Sequence, residues 1–160
     1  MRALKLKNPD KALRLILMLF AEDPNYQRIG MAAIPGVWRS VWQGNYLLFE
    51  EGGDVVAAVT WGGISAQTRD ACLAERREPT ADEILARGAA VFALSLGARS
   101  AQWMLPAWRT FLGTCGDADV LALRHFRSPG RGAMRFMHFR QGRLVEALDI
   151  PSTTAAAAAP

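Results

Sequence analysis

Residues 89–112 of the chain, AAVFALSLGARSAQWMLPAWRTFL, decide the fold. The continuous apolar run 89–96 has the length of a strand and predicts a central strand that is buried on both faces. The turn 97–100 follows it, and residues 101–112 then have the aromatic-rich, amphipathic pattern of a helix. Pro106 falls inside that helix, which predicts a kink or a later helix start. A buried strand followed by a turn and a helix therefore forms the middle of the domain.

The sequence before this unit predicts helices and a β-hairpin. Asn8 and Pro9 suit the cap and first position of a helix that ends near residues 22–24. A shorter helix is predicted over residues 35–41, with its inward side chains being Val37, Trp38 and Val41. The β-rich runs 46–49 and 55–61 flank a Glu-Gly-Gly-Asp turn, which is typical of a hairpin whose second strand ends at Gly62 and Gly63.

Further helix signals follow the hairpin, and strands follow the central unit. Ser65 can cap a helix that runs to about Arg76, and residues 80–83 have the spacing of a capping box. Strands are predicted over residues 120–127 and 134–139, with a last one near 144–150. This order favours the α+β class, with one mostly antiparallel twisted sheet flanked by helices.

The length of 160 residues corresponds to one domain, which we assign to residues 1–150. Residues 151–160 form a low-complexity, alanine-rich tail that we expect to be flexible. The longest apolar run has ten residues, too few to span a bilayer, and no secretory signal is expected. Cys72 and Cys115 lack a metal or redox spacing and are expected to be reduced cytosolic thiols.

Charge is unevenly distributed along the chain. Residues 50–83 carry a net charge of −5, whereas residues 99–143 carry +6 and draw all of their positive charge from arginine. The basic half is consistent with an anionic partner, and equally with a solvated surface in an arginine-rich protein. Trp103, Trp108 and Phe111 recur at helical spacing, so they are better explained as core than as stacking platforms, and no nucleic-acid partner is expected.

Two segments have features of anion binding. Gly97, Arg99 and Ser100 lie between the buried strand and a helix start, where free amides and the helix dipole can hold a phosphate; a plain turn with a serine cap is an equal alternative. Residues 127–132 (RSPGRG) fit the glycine pattern of the pyrophosphate loop in GNAT acetyltransferases, although a strand rather than a helix is predicted to follow. The anion-binding candidates are Gly97, Arg99, Ser100, Arg124, Arg127 and Arg131.

Recognised catalytic and metal motifs are missing from the sequence. It has no nucleophile elbow, Walker loop or dinucleotide fingerprint. His125 and His138 are the two histidines, each alternating with apolar neighbours, and both are expected to pack in the core or at its rim. We therefore expect no metal and no permanently bound cofactor.

Residues 34–49 (IPGVWRSVWQGNYLLF) and 55–65 (VVAAVTWGGIS) resemble the RTX-toxin-activating lysine acyltransferases, the hemolysin-activating protein C family. The resemblance covers about residues 15–144 and rests mainly on Asn45, Tyr46, Trp61 and the order of elements. It implies a GNAT-like acyltransferase domain in the bacterial cytoplasm. The implied donor is acyl-phosphopantetheine on acyl carrier protein, and the implied acceptors are internal lysines of an RTX-type protoxin. It leaves a homodimer open.

The chain departs from this family at the two residues that handle protons. The family's histidine position corresponds to Tyr26, and its aspartate position in the apolar strand corresponds to Leu94, next to Ser95. A lysine ammonium needs a base with a pKa near 7, which a phenol with a pKa of about 10 does not supply. Two hypotheses remain open: an active acyltransferase with a rearranged catalytic pair, to which Glu22, Asp23 or His138 could contribute, or a pseudoenzyme that binds an acyl carrier or protein partner without turnover.

Overall fold

The computed structural model describes residues 1–22, 34–125 and 133–151. The helices and strands follow one another as β1 (Arg2–Leu4), α1 (Pro9–Glu22), α2 (Ile34–Trp42), β2 (Tyr46–Glu51), β3 (Asp54–Ile64), α3 (Ala66–Glu75), a 3₁₀ turn (Ala81–Glu83), β4 (Ala90–Ala98), α4 (Ala101–Cys115), β5 (Asp119–His125), β6 (Ala133–Arg140) and β7 (Arg143–Pro151). The α+β class predicted from the sequence is confirmed.

The described strands form one seven-stranded sheet in the order β1 to β7, so each strand pairs with its neighbours in sequence. All neighbouring pairs are antiparallel except β4 and β5, which are parallel. A parallel pair needs a crossover connection, and α4 supplies it. The carboxyl ends of β4 and β5 consequently lie at the same end of the sheet.

Helices cover both faces of the sheet. On one face α4 packs through Phe111, whose ring centroid lies 5.3 Å from that of Trp61 and 5.1 Å from that of Trp108. Because successive strand residues point to opposite faces, Leu48 and Ala58 lie on the other face, under α1 and α2. Phe92 and its neighbours continue this second face under α3.

The helix starts follow the capping signals in the sequence. The side-chain oxygen of Asn8 accepts a hydrogen bond from the Lys11 amide at 3.1 Å, and Ser65 Oγ accepts one from the Thr68 amide at 3.0 Å. Thr80 and Glu83 form the predicted capping box. These contacts satisfy amides that the first turn of a helix leaves without intrahelical partners.

Two local predictions are wrong. Trp38 does not point inward: its side chain is 50% exposed, and Ser40 occupies the buried position instead, donating its hydroxyl to the Gly36 carbonyl. The second hairpin strand does not end at Gly62 and Gly63 but continues to Ile64, because these residues stay paired with β4 as far as Ala90. Residue 63 is a glycine because the chain at residues 87–88 passes so close that a Cβ there would lie 2.5 Å from the Arg87 carbonyl carbon. Of the two alternatives predicted for Pro106, a kink or a later helix start, the later start did not occur, because α4 begins at Ala101 with Pro106 inside it.

Other predictions concern residues beyond those described. The alanine-rich tail lies outside the described residues except for Pro151, which ends β7. Strand β5 is described as far as His125, short of the predicted limit at residue 127. In the described part of the chain no helix has the length and hydropathy needed to cross a bilayer.

Candidate functional site

Strands β4 and β5 pair for only part of their length and then separate. Their pairing runs from Ala90 opposite Asp119 to Ala93 opposite Ala122. Beyond this point β4 remains paired with β3 as far as Ala98, and β5 remains paired with β6 as far as His125. No pairing between the two strands is recorded for described residues 94–98 and 123–125. We call this end of the parallel pair, where the described parts of β4 and β5 no longer pair with each other, the β4–β5 split.

A β-bulge lies where the split begins. Thr60 pairs with Ser95 and Trp61 pairs with Ala93, so Leu94 is an extra residue on β4. A bulge bends a strand and increases its twist, and this one comes directly after Ala93, the last residue of β4 that pairs with β5. The Leu94 side chain is partly buried and packs against the apolar cluster under α3.

The corner between β4 and α4 lies at the open end of the split. Gly97 and Ala98 end the strand, Arg99 donates its amide to the Val56 carbonyl at 2.9 Å, and α4 starts directly after Ser100. Ser100 has extended backbone angles, and its side chain makes no capping hydrogen bond. The exposed first turn of α4 carries the partial positive charge of a helix N-terminus. The predicted placement of this corner between a buried strand and a helix is confirmed.

The Arg99 guanidinium is already in contact with carboxylates. Its Nε lies 3.2 Å from Oε2 of Glu22, and one of its terminal nitrogens lies 4.0 Å from Oδ1 of Asp54. Its side chain is 44% exposed, so it remains accessible to a ligand. Arg99 also borders a groove of about 380 Å³ between α1 and the β2–β3 turn, lined mainly by aliphatic side chains: Leu4, Leu6, Leu15, Met18, Leu19 and Val55.

The other arginines predicted from the sequence belong to the β5–β6 region. Arg124 pairs with Arg135 in the ladder between the two strands. Arg127 and Arg131 lie outside the described residues, as does Tyr26. The RSPGRG pattern precedes strand β6 and not a helix, as the sequence predicts.

A histidine and a carboxylate meet at the opposite end of the parallel pair. Asp119 accepts hydrogen bonds from Arg140 Nε at 2.9 Å and from Arg69 at 3.2 Å, and its Oδ1 lies 3.1 Å from His138 Nε2. The hydrogen bond from Arg140 is the main cause that lowers the pKa of Asp119. Asp119 begins β5, three residues before its last pairing with β4, so this cluster lies about 10 Å before the split. His138 is buried, as expected, and Asp119 was missed.

Two hydroxyl groups face each other across β3 and β4 beside the bulge. Thr60 Oγ1 and Ser95 Oγ are 2.5 Å apart, and Thr60 has no solvent exposure whereas Ser95 is partly exposed. Sequence reasoning noted Ser95 only as a neighbour of Leu94. Both residues could have been identified from the sequence, because each carries a hydroxyl group within an otherwise apolar strand.

Thiol and metal chemistry have little support among the described residues. Burial raises the pKa of Cys115 to about 11 and also raises the pKa of Cys72, so both thiols stay protonated at neutral pH. In residues 1–22, 34–125 and 133–151 no group of three or more histidine, cysteine or acidic side chains converges.

Two solved structures are similar to this chain. One is the GphF GNAT-like decarboxylase in complex with isobutyryl-CoA, with a TM-score of 0.56 and 17% identity over 82% of this chain and 69% of that one. The other is the loading GNATL domain of CurA from Lyngbya majuscula, with a TM-score of 0.57 and 13% identity over 79% of this chain and 65% of that one. No protein-family model and no curated protein matches the chain. The fold is therefore GNAT-like, as the resemblance implied.

Proposed function

We propose that this protein binds an acyl-phosphopantetheine thioester in the β4–β5 split and transfers the acyl group to a lysine amine. The observation that carries the proposal is the separation of two parallel strands after Ala93 and Ala122. Beyond these residues the described parts of β4 and β5 show no pairing with each other. A pantetheine arm has two amides and can lie along such a strand edge as an added strand would.

The β4–α4 corner suits the phosphate of that arm. The first turn of α4 supplies free amides and the positive end of the helix dipole, and Arg99 supplies a partly exposed positive charge. The corner lies at the end of the strand whose edge would hold the amides, so one extended ligand can reach both. The structural neighbour GphF is described in complex with isobutyryl-CoA, an acyl thioester of the same arm, which is consistent with this ligand class.

Acyl carrier protein is the proposed donor, and an RTX-type protoxin is the proposed acceptor. Residues 99–143 carry a net charge of +6, which would attract an acidic carrier through long-range electrostatics. The lysine acceptor, the protoxin and the bacterial cytoplasmic location follow from the family resemblance of the hairpin region. A homodimer stays a prediction.

The alternative function is binding without turnover. Leu94, at the family's aspartate position, packs into an apolar cluster and has no group that can exchange a proton. Without a base near the split, a bound thioester would meet a protonated lysine and react slowly. A Tyr26→His and Leu94→Asp double variant should gain acyl transfer if these two positions alone limit the reaction. Efficient acylation by the unmodified protein would instead rule out this alternative.

The direct test is incubation with acyl–acyl carrier protein and a lysine-bearing protoxin fragment, followed by mass spectrometry. Transfer to lysine above a heat-inactivated control supports the acyltransferase. Binding of the carrier without transfer supports the non-catalytic alternative. If the association constant for the carrier is the same at low and at high salt, the proposal that the basic segment attracts the carrier electrostatically is wrong.

A further inference from the structure

We propose that Ser95 donates a hydrogen bond to the carbonyl oxygen of the bound thioester, and that Thr60 orients the Ser95 hydroxyl for this role. The inference rests on the proposed function, because it assigns a contact within the β4–β5 split. It starts from the hydroxyl pair beside the bulge, where Thr60 Oγ1 and Ser95 Oγ are 2.5 Å apart.

The direction of this hydrogen bond follows from burial. Each hydroxyl has one hydrogen to place, and only one of the two hydrogens can lie between the oxygens. Thr60 has no solvent exposure, and among the described residues its side chain bonds to Ser95. A buried hydroxyl hydrogen without an acceptor is costly, so Thr60 donates and Ser95 accepts.

The Ser95 hydrogen is consequently directed away from Thr60. Ser95 is partly exposed and comes directly after Leu94, the bulged residue at which β4 parts from β5. Its hydroxyl is thus a polarised donor on the second residue of β4 beyond the last pairing with β5. Accepting a hydrogen bond strengthens a hydroxyl as a donor, because hydrogen bonds in a chain polarise one another.

A donor at this position has a chemical use. When an amine attacks a thioester, negative charge builds on the carbonyl oxygen, and a preorganised donor stabilises that charge. Ser95 would then be a catalytic residue that touches the acyl group, and Thr60 would be a positioning residue that acts through Ser95. In a protein without turnover the same contact would fix the acyl group in the split.

The test compares two stable phosphopantetheine ligands, of which only one has a carbonyl group. One is a ketone analogue with a methylene between sulfur and carbonyl, and the other is the thioether of equal length without the oxygen. Ser95→Ala should weaken binding of the ketone by about fivefold to tenfold and change binding of the thioether by less than about twofold. Thr60→Val should weaken ketone binding less than Ser95→Ala does, and Thr60→Ser should restore wild-type affinity.

An infrared measurement gives a second readout of the same contact. The carbonyl stretch of the carbon-13-labelled ketone should lie at lower frequency when bound than in an apolar solvent, and Ser95→Ala should move it back. Equal weakening of both ligands by Ser95→Ala, or an unshifted bound carbonyl, would overturn the assignment. If the wild-type protein binds neither ligand, the proposed function itself fails. If it binds both but Ser95→Ala weakens them equally, only the role of Ser95 fails.

Discussion

Arg99, which precedes α4, forms an ion pair with Glu22, the last residue of α1, with 3.2 Å between Nε and Oε2. The two side chains are 44% and 50% exposed, so water screens the pair and its contribution to stability is small. The guanidinium that we propose to bind the ligand phosphate is therefore already paired with a carboxylate. A phosphate dianion would compete with Glu22 for the same guanidinium.

Replacing Glu22 should tighten ligand binding. Glu22→Gln removes the nearer of the two carboxylates that contact Arg99, so the affinity for phosphopantetheine should rise by about twofold to threefold in a calorimetric titration. Asp10→Asn, in the first turn of the same helix, removes an equal charge at the other end and serves as the control. If Glu22→Gln binds phosphopantetheine more weakly than Asp10→Asn does, Glu22 does not compete with the phosphate for Arg99.

Replacing Arg99 should weaken the same ligand. Arg99→Gln removes the cation beside the α4 N-terminus, and the affinity for phosphopantetheine should fall by about fivefold at low salt. The difference from wild type should shrink as salt is added, because screening weakens exposed charge pairs. Arg109→Gln, an exposed position on the same helix, should leave the affinity unchanged. Equal effects of the two arginine variants would place the phosphate elsewhere.

Asp119 should make stability depend on pH. Its hydrogen bond from Arg140 lowers its pKa in the folded protein, so it stabilises the fold above about pH 4 and loses this contribution as pH falls through the folded-state value. Asp119→Asn should lower the free energy of unfolding by about 1–3 kcal/mol at neutral pH, and the difference should narrow in acid. Urea denaturation of this variant and of Asp117→Asn, in the exposed turn before β5, would measure the effect. A difference that stays constant into acid would show that the charge is not the cause.

Phe111 should be a main source of stability on the α4 face. It has no solvent exposure and contacts the rings of Trp61 and Trp108. Phe111→Ala should destabilise the protein by about 3–5 kcal/mol, because it removes buried area and leaves a cavity. Leu105→Ala, on the exposed side of the same helix, should change stability by less than about 0.5 kcal/mol. Comparable losses in both variants would contradict the described packing.

Local signals in the sequence predicted most of the elements. The caps at Asn8 and Ser65, the hairpin turn and the apolar run of β4 each act within a few residues, so they are visible in the chain itself. The inward direction of Trp38 was wrong because the apolar pattern of a short helix does not determine which side meets the sheet. The three-residue strand β1 was missed because so few residues carry no periodicity.

The candidate site was predictable only in part. The β4–α4 corner could be placed because its strand, turn and helix are contiguous in sequence. The parallel pairing with β5, the bulge at Leu94 and the contact of Thr60 with Ser95 depend on strand register, which joins residues far apart in the chain. Asp119 was missed for the same reason, since its partners come from α3 and β6.

Amide chemical-shift mapping tests the central claim most directly. Uniformly nitrogen-15-labelled protein would be titrated with the ketone analogue of acyl-phosphopantetheine, and each backbone amide would be followed. Occupation of the β4–β5 split predicts that the largest shifts fall on residues 94–101 and 123–125, with much smaller shifts along β1 and β7. If the largest shifts fall in the groove under α1 or at the Asp119 cluster, the ligand binds elsewhere and the account is wrong. If no amide shifts even at saturating ligand concentration, the account is also wrong.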